Sequence, residues 1–161
     1  MGNSKPHRGK PALRWTLFEA CDTTPRAAQR GTNALYPITV LVADDEPMMR
    51  RALSDMLDEH PGLSVVGVAR DAAGAVALAR LLRPAVAVLD VRMPGGGGVE
   101  AARQIRLVSP STRVLAHSAF DDQSSRTAML AAGAHGYIVK GSPSAGIIAS
   151  VLAVAANSRA S

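Results

Sequence analysis

An apolar run that ends on a single acid constrains this chain more than any other feature. Val86-Ala-Val-Leu89 leads into Asp90, and a loop of Val91, Arg92, Met93, Pro94 and four glycines, Gly95 to Gly98, follows. No polar residue interrupts 86–89, so both faces are predicted buried, as in the middle strand of a parallel sheet. Asp90 is then a charge held at the carboxyl edge of a sheet, where open α/β sheets bind ligands.

Two other segments supply what such an acid needs. Ile38-Thr-Val-Leu-Val-Ala43 is a second apolar strand, and it ends in Asp44 and Asp45. Gly136-Tyr-Ile-Val139 is a short strand that ends in Lys140. If the three strands run parallel, these ends share one edge. Carboxylates brought together there raise one another's pKa values, and a divalent cation relieves the repulsion. Hard oxygen ligands with room for water and a phosphate suit Mg²⁺ better than zinc. The lysine adds a positive charge for an incoming anion. A carboxylate nucleophile, a Mg²⁺ site and an ammonium together suit acceptance of a phosphoryl group. Lys140 is the only lysine after residue 36, among eleven arginines. A compact ammonium suits a point contact to one phosphate oxygen better than a planar guanidinium does.

Strand and helix periods alternate along the rest of the chain. The first helix is predicted from Pro47, with Met49, Leu53, Met56 and Leu57 inward, and Pro61-Gly62 stopping it. A second strand spans 64–69. The second helix has Ala75, Leu78, Ala79 and Leu82 as its inner stripe and ends at Pro84. After the Asp90 strand, a helix over 99–107 turns on Val99, Ala102, Ile105 and Arg106. A fourth strand spans 112–117, a weaker helix runs over 123–132, and the fifth strand covers 137–139. Pro143 opens a fifth helix in which Ile148, Val151, Leu152 and Ala155 line up. Five strands alternating with five helices predict an α/β fold, a doubly wound five-stranded parallel sheet with helices on both faces.

The landmarks, taken in order, resemble the receiver domain of bacterial two-component response regulators from about Ile38 to Ala156. Asp44-Asp45 resembles the family's acidic pair and Asp90 its phospho-accepting aspartate, followed by Met93-Pro94-Gly95. Ser118-Ala119 resembles the switch hydroxyl and its small neighbour, and Tyr137 and Lys140 the switch aromatic and the lysine three residues on. Arg92-Met-Pro-Gly, Gly133-Ala-His-Gly-Tyr137 and Lys140-Gly-Ser-Pro143 are similar to the NarL/FixJ (LuxR) type. The resemblance implies the flavodoxin/CheY-like strand order 2-1-3-4-5, which places Asp44, Asp45 and Asp90 together. It implies Mg²⁺ held directly by Asp45, Asp90 and the Arg92 backbone carbonyl, with Asp44 acting through water. Lys140 is expected to pair with the phosphoryl oxygens and Ser118 to donate to one of them. Tyr137 then turns into the space vacated, a local bond biasing a two-state element. The implied partner is a sensor histidine kinase, and the implied role is a phospho-accepting signalling domain, not an enzyme beyond self-phosphorylation and slow autodephosphorylation.

Two positions depart from the family pattern. Gly97 stands where the family often has an aspartate that caps the third helix. Glycine is an acceptable N-cap, but four in a row cost conformational entropy and predict a mobile loop beside Asp90. His117 stands where an apolar residue is usual, and it reads as a half-buried histidine, not a ligand.

Composition sets the surroundings of this domain. Aromatics make up only 3% of the 161 residues, so the core must be aliphatic. The net charge of +5 is uneven: residues 1–36 carry six Lys/Arg against Glu19 and Asp22, whereas 37–161 carry twelve against eleven acids. The basic part is thus a leader, 1–36, predicted disordered apart from an amphipathic turn or two over 11–20. It precedes a receiver at 37–157 and a short tail at 158–161. A lone cysteine, Cys21, excludes an intramolecular disulfide and fits a reducing cytoplasm. No secretory signal or membrane span is visible, and the charge-free stretch 141–158 is broken by Pro143 and Gly146.

Receivers of the NarL type usually precede a DNA-binding helix-turn-helix, and none is visible before Ser161. The chain is therefore read as a stand-alone receiver, as a piece of a DNA-binding regulator lacking its reader, or as a degenerate receiver serving as a constitutive interaction module. The fifth helix is uncharged over 142–158, which predicts an apolar outer face. The resemblance assigns homodimer or effector docking to the surface of the fourth helix, fifth strand and fifth helix. A phosphatase with an aspartate nucleophile usually carries a second acid two residues on; Arg92 stands there and argues against turnover.

Overall fold

A computed structural model describes residues 36–157. The basic leader, its 11–20 turn, Cys21 and the tail at 158–161 lie outside the described residues, apart from Tyr36. The elements run β1 (Ile38–Ala43), α1 (Pro47–Asp58), β2 (Leu63–Ala69), α2 (Ala72–Leu82), β3 (Val86–Asp90), α3 (Gly97–Val108), β4 (Arg113–Ser118), α4 (Gln123–Ala131), β5 (Gly136–Val139) and α5 (Ser144–Ala156). All four strand pairings are parallel, in the order β2-β1-β3-β4-β5. This is the doubly wound sheet expected, with β1 and β3 side by side where the winding reverses.

Every residue of β3 is buried, as its unbroken apolar run requires. One face of the sheet packs Leu41, Leu89, Val114 and Ala116 with Ile105 of α3 and Met129 of α4. The other packs Val40, Val42, Val88 and Leu115 with Leu53 and Leu57 of α1 and Val151 of α5. Each such buried Leu, Ile or Val contributes about 1.5–3 kcal/mol by leaving water. The aliphatic core inferred from the scarcity of aromatics is what fills both faces.

The helix stripes are rotated from those read off the sequence. In α2 the inward residues are Ala72, Ala75 and Ala79; Leu78 is half-buried and Leu82 is 38% exposed. Leu78 packs at the margin of the core, and the Cδ1 atoms of Leu78 and Leu82 reach Gly67 of β2. In α3 Arg106 is exposed and Val99 half-buried, while Ala101 joins Ala102 and Ile105 inside. In α5 Ile147, Val151, Val154 and Ala155 are buried, with Ile148 and Leu152 at the margin. The outer face of α5 is uncharged as expected, but it is made of Ala145, Gly146, Ala149 and Ala153. None of the large exposed apolar side chains lies on it. That face is smooth, without a greasy patch.

Two helices gain caps that the periodicity did not reveal. The Asp71 carboxylate accepts from the Gly74 amide at 2.7 Å and opens α2. Asp122 accepts from the Ser125 amide at 2.8 Å and opens α4. The latter carboxyl is held down to a pKa of about 2 by hydrogen bonds from the Ser124 hydroxyl and the Ser125 amide. Both are the short polar residue that satisfies an orphan N–H at a helix start.

Candidate phosphoacceptor site

Register carries the three acidic ends to one place. Pairing of Ala43 with Leu89 brings Asp44 and Asp45 level with Asp90, and Asp90 itself pairs with His117 of β4. One oxygen from each of Asp44, Asp45 and Asp90 lies within 4.8 Å of the others. The Lys140 amide donates to the Ser118 carbonyl at 2.6 Å, which fixes the lysine at the end of β5. Its ammonium is 2.8 Å from Asp44 Oδ2 and 3.2 Å from Asp90 Oδ2.

Asp44 is fully buried and tied on several sides. Its Oδ1 accepts from the Glu46 amide at 2.9 Å, and its carbonyl accepts from Arg50 Nη1 at 2.6 Å. Asp90 is 4% exposed, and its Oδ1 accepts from the Arg92 amide at 3.3 Å. Asp45, by contrast, is exposed and free of any hydrogen bond or ion pair among the described residues. The three acids therefore differ: Asp44 is anchored by hydrogen bonds, Asp90 is a buried carboxylate with one oxygen on the lysine, and Asp45 is a carboxylate open to solvent.

Burial raises the Asp90 pKa above its ordinary 3.8; the Arg92 amide and the Lys140 charge pull it back, and Asp44 adds to the rise. Burial works against the Lys140 ammonium, but the hydrogen bond to Asp44 and the charges of Asp90 and Asp44 outweigh it and hold its pKa above 10.5. With three carboxylates and one ammonium, the ionised cluster has a net charge of −2. That deficit, on hard oxygen donors with one acid open to solvent, fits a divalent cation of the Mg²⁺ class. The carboxylate oxygens that converge there are those of Asp44, Asp45 and Asp90.

The run of glycines beside the site divides: Gly95 and Gly96 are exposed, whereas Gly97 and Gly98 are packed against the backbone. Gly97 has φ +69°, and a Cβ there would stand 2.6 Å from the Val91 carbonyl oxygen. A Cβ on Gly98 would stand 2.5 Å from the Asp90 carbonyl oxygen. Both residues are buried, and the Gly98 amide donates to Val91 at 3.0 Å. The start of α3 thus lies directly on the backbone that carries Asp90, at a separation only glycine permits.

Ser118 ends β4 on the same edge and is buried; its hydroxyl accepts from the Phe120 amide at 3.3 Å. Ala119 is exposed. The Tyr137 hydroxyl donates to the Phe120 carbonyl at 2.8 Å, and the Arg126 guanidinium lies 4.6 Å from the Tyr137 ring centroid. Phe120 also carries the Arg92 guanidinium, 4.7 Å from its ring centroid. Phe120 is thereby the link between Ser118, Tyr137 and Arg92. Sequence reasoning missed it because a lone aromatic in a loop has no period or spacing to mark it.

His117 is not half-buried, as the sequence suggested, but 2% exposed, and neither ring nitrogen has a hydrogen-bond partner among the described residues. Burial, reinforced by the Lys140 charge and opposed by Asp44, lowers its pKa to about 4. Its position as the cross-strand partner of Asp90 explains the burial, since β4 lies inside the sheet.

Residues 40–152 match the response regulator receiver domain family. The chain is 38% identical over 122 residues to the response regulator GacA of Pseudomonas viridiflava, covering 76% of this chain and 57% of that protein. It is 40% identical over 103 residues to the DNA-binding transcriptional activator DevR/DosR of Mycobacterium tuberculosis, covering 64% of this chain and 48% of that one. It thus spans about half the length of the curated relatives it matches. Among solved structures, the signal receiver domain of the putative response regulator NarL from Mycobacterium tuberculosis superposes with a TM-score of 0.73 at 36% identity, over 75% of this chain and 98% of that chain. A LuxR-family response regulator from Aurantimonas superposes with a TM-score of 0.72 at 31% identity, over 75% and 86%. With its strand order, acidic edge and these matches, the chain belongs to the response regulator receiver domain family.

Proposed function

We propose that residues 37–157 form a phosphorylation switch in which Asp90 accepts a phosphoryl group from a phosphohistidine of a sensor kinase. The observation that carries this reading is the Lys140 ammonium shared between Asp44 and Asp90, with the open Asp45 carboxylate within 4.8 Å. A carboxylate is a weak nucleophile, so positioning and charge neutralisation supply most of the rate. One Asp90 oxygen forms the new P–O bond as the P–N bond to the donor imidazole breaks, and the imidazole keeps the departing electron pair. Lys140 exchanges its contact with Asp90 for an arriving phosphoryl oxygen while keeping its contact with Asp44. Asp44, fixed by Glu46 and Arg50, keeps that lysine in place before and after transfer. Asp45, Asp90 and the Arg92 carbonyl are the proposed ligands of Mg²⁺, which when bound offsets the charge on the phosphoryl oxygens.

The consequence proposed is a change at the α4–β5–α5 surface. Ser118 exchanges its contact with the Phe120 amide for a phosphoryl oxygen, the 118–122 loop moves inward, and Tyr137 loses the Phe120 carbonyl that now holds its hydroxyl outward. The smooth alanine face of α5 suits close approach of a second copy or an effector. Control of transcription, as the DevR/DosR name describes for that relative, is the output proposed when a DNA-reading domain is attached. A cytoplasmic place of action follows in this proposal from the phosphohistidine donor; separately, no helix among the described residues is long and apolar enough to cross a membrane.

Intact mass after incubation with a small acyl phosphate, with and without Mg²⁺, tests the reading on wild type and Asp90→Asn. One phosphoryl adduct that needs both Mg²⁺ and Asp90 is expected. No adduct on folded, Mg²⁺-replete protein, or an equal adduct on Asp90→Asn, overturns it.

A further inference from the structure

The edge of the sheet opposite Asp90 holds an electrostatic imbalance that phosphoryl acceptance does not use. Arg113 opens β4 and pairs with Val86, at the far end of the same strands that carry Asp90 and His117. It lines two hollows, of about 360 Å³ and 470 Å³. Arg106 and His135 line the first, Arg83 and Ser111 the second, and no acidic residue lines either.

Hydrogen-bond donors outnumber acceptors here. Arg113 Nε is buried with no acceptor, and Nη2 has only the Asn157 carbonyl at 3.4 Å. Arg113 Nη1 faces His135 Nε2 at 2.8 Å, while His135 Nδ1 accepts from the Val114 amide at 3.1 Å. Those two contacts conflict. A guanidinium only donates, and a neutral imidazole has one donor nitrogen and one acceptor nitrogen. If Nδ1 accepts from Val114, then Nε2 carries the proton and points an N–H at an N–H. The other tautomer moves the conflict to Val114, and the protonated ring creates it at both nitrogens. No protonation state of His135 satisfies the set without an added acceptor.

We propose that this edge binds an oxyanion of phosphate class, a phosphate or diphosphate group whose oxygens take the Arg113 Nη1 and Nη2 donors and the His135 Nε2 proton, with Arg106 and Arg83 adding charge from the two hollows. The guanidinium fork matches two oxygens of one phosphate. Three arginines without a lining carboxylate favour a multiply charged anion over a carboxylate.

The full chain titrated with pyrophosphate in the absence of Mg²⁺, followed by amide ¹H–¹⁵N shifts, tests the proposal; orthophosphate and a nucleoside diphosphate in parallel show whether the free anion or a phosphorylated metabolite is preferred. Saturable shifts confined to residues 112–114 and 133–135 are expected, with affinity lowered about tenfold by Arg113→Gln. Arg106→Gln, at an exposed helix position, weakens binding without touching the core and serves where Arg113→Gln does not fold. Asp90→Asn leaves the affinity unchanged, which separates this site from the phosphoacceptor. Absence of shifts, shifts centred on Ser118 and Lys140, or wild-type affinity in both arginine variants overturns the proposal.

Discussion

Replacing Lys140 with methionine removes the one ammonium in the acidic cluster while keeping most of the aliphatic stem. In wild type the ammonium is 2.8 Å from Asp44 and 3.2 Å from Asp90, both almost wholly buried. At an effective dielectric of about 20 the two attractions are worth roughly 6 and 5 kcal/mol before desolvation is counted. Desolvation of the lysine cancels a large part, and removal of one partner from a buried pair costs about 3–5 kcal/mol. Asp90 limits the loss further by taking up a proton. Its folded pKa already lies above 3.8, and loss of Lys140 raises it more. A raised acid pKa means that the folded state binds the proton more tightly than the unfolded state. The relief is therefore present at low pH and disappears as pH rises through the folded value. The expected net destabilisation of Lys140→Met is about 3 kcal/mol near pH 8 in chelator, shrinking to about 1 kcal/mol near pH 5. A divalent cation at about a hundred times its Kd returns about 2.7 kcal/mol. Urea unfolding with and without Mg²⁺ at the two pH values measures all three quantities. A variant as stable as wild type near pH 8 in chelator, with no pH dependence, refutes the claim that this lysine neutralises the cluster.

Gly98→Ala forces a Cβ to within 2.5 Å of the Asp90 carbonyl oxygen; a loss of about 1–3 kcal/mol in urea unfolding is expected, together with slower adduct formation at Asp90. His117→Leu removes two buried ring nitrogens that lack partners. Because the folded His117 pKa is lowered from 6.5 to about 4, the unfolded chain takes the proton first, and wild type loses stability as pH falls from 6.5 towards 4. The Leu variant is expected to lose about 3 kcal/mol less over that window, read from unfolding midpoints against pH. Ser118→Ala frees the Phe120 amide at a cost of about 1 kcal/mol or less; phosphoryl uptake by mass is expected to persist while the amide shifts of Phe120 and Tyr137 on phosphorylation shrink. Tyr137→Phe loses the hydrogen bond to the Phe120 carbonyl, costing about 0.5–1.5 kcal/mol by thermal melting.

The order of elements and the place of Asp90 follow from the sequence alone, because burial on both faces of a central strand leaves no room for a polar residue before the edge. Val86 to Asp90 declares both the strand and its end, and the acids after Ala43 and the lysine after Val139 declare the same edge. Composition likewise fixed the character of the core: with so few aromatics, Leu, Ile, Val, Met and Ala had to fill it. Periodicity located the helices but not their rotation, since α2 and α5 are almost uniformly apolar and many faces satisfy the same pattern. Contact with the sheet chose among them, keeping Ala75 and Ala79 inward with Ala72, leaving Leu82 partly exposed, and burying Ile147 more deeply than Ile148. The close packing of Gly97 and Gly98 was hidden because their backbone neighbours, the carbonyls of Val91 and Asp90, were invisible in the sequence. The burial of His117, the link through Phe120, and the acceptor-poor edge around Arg113 and His135 had no signature in spacing. They arise between residues far apart in the chain, and only tertiary structure brings those residues within reach of one another.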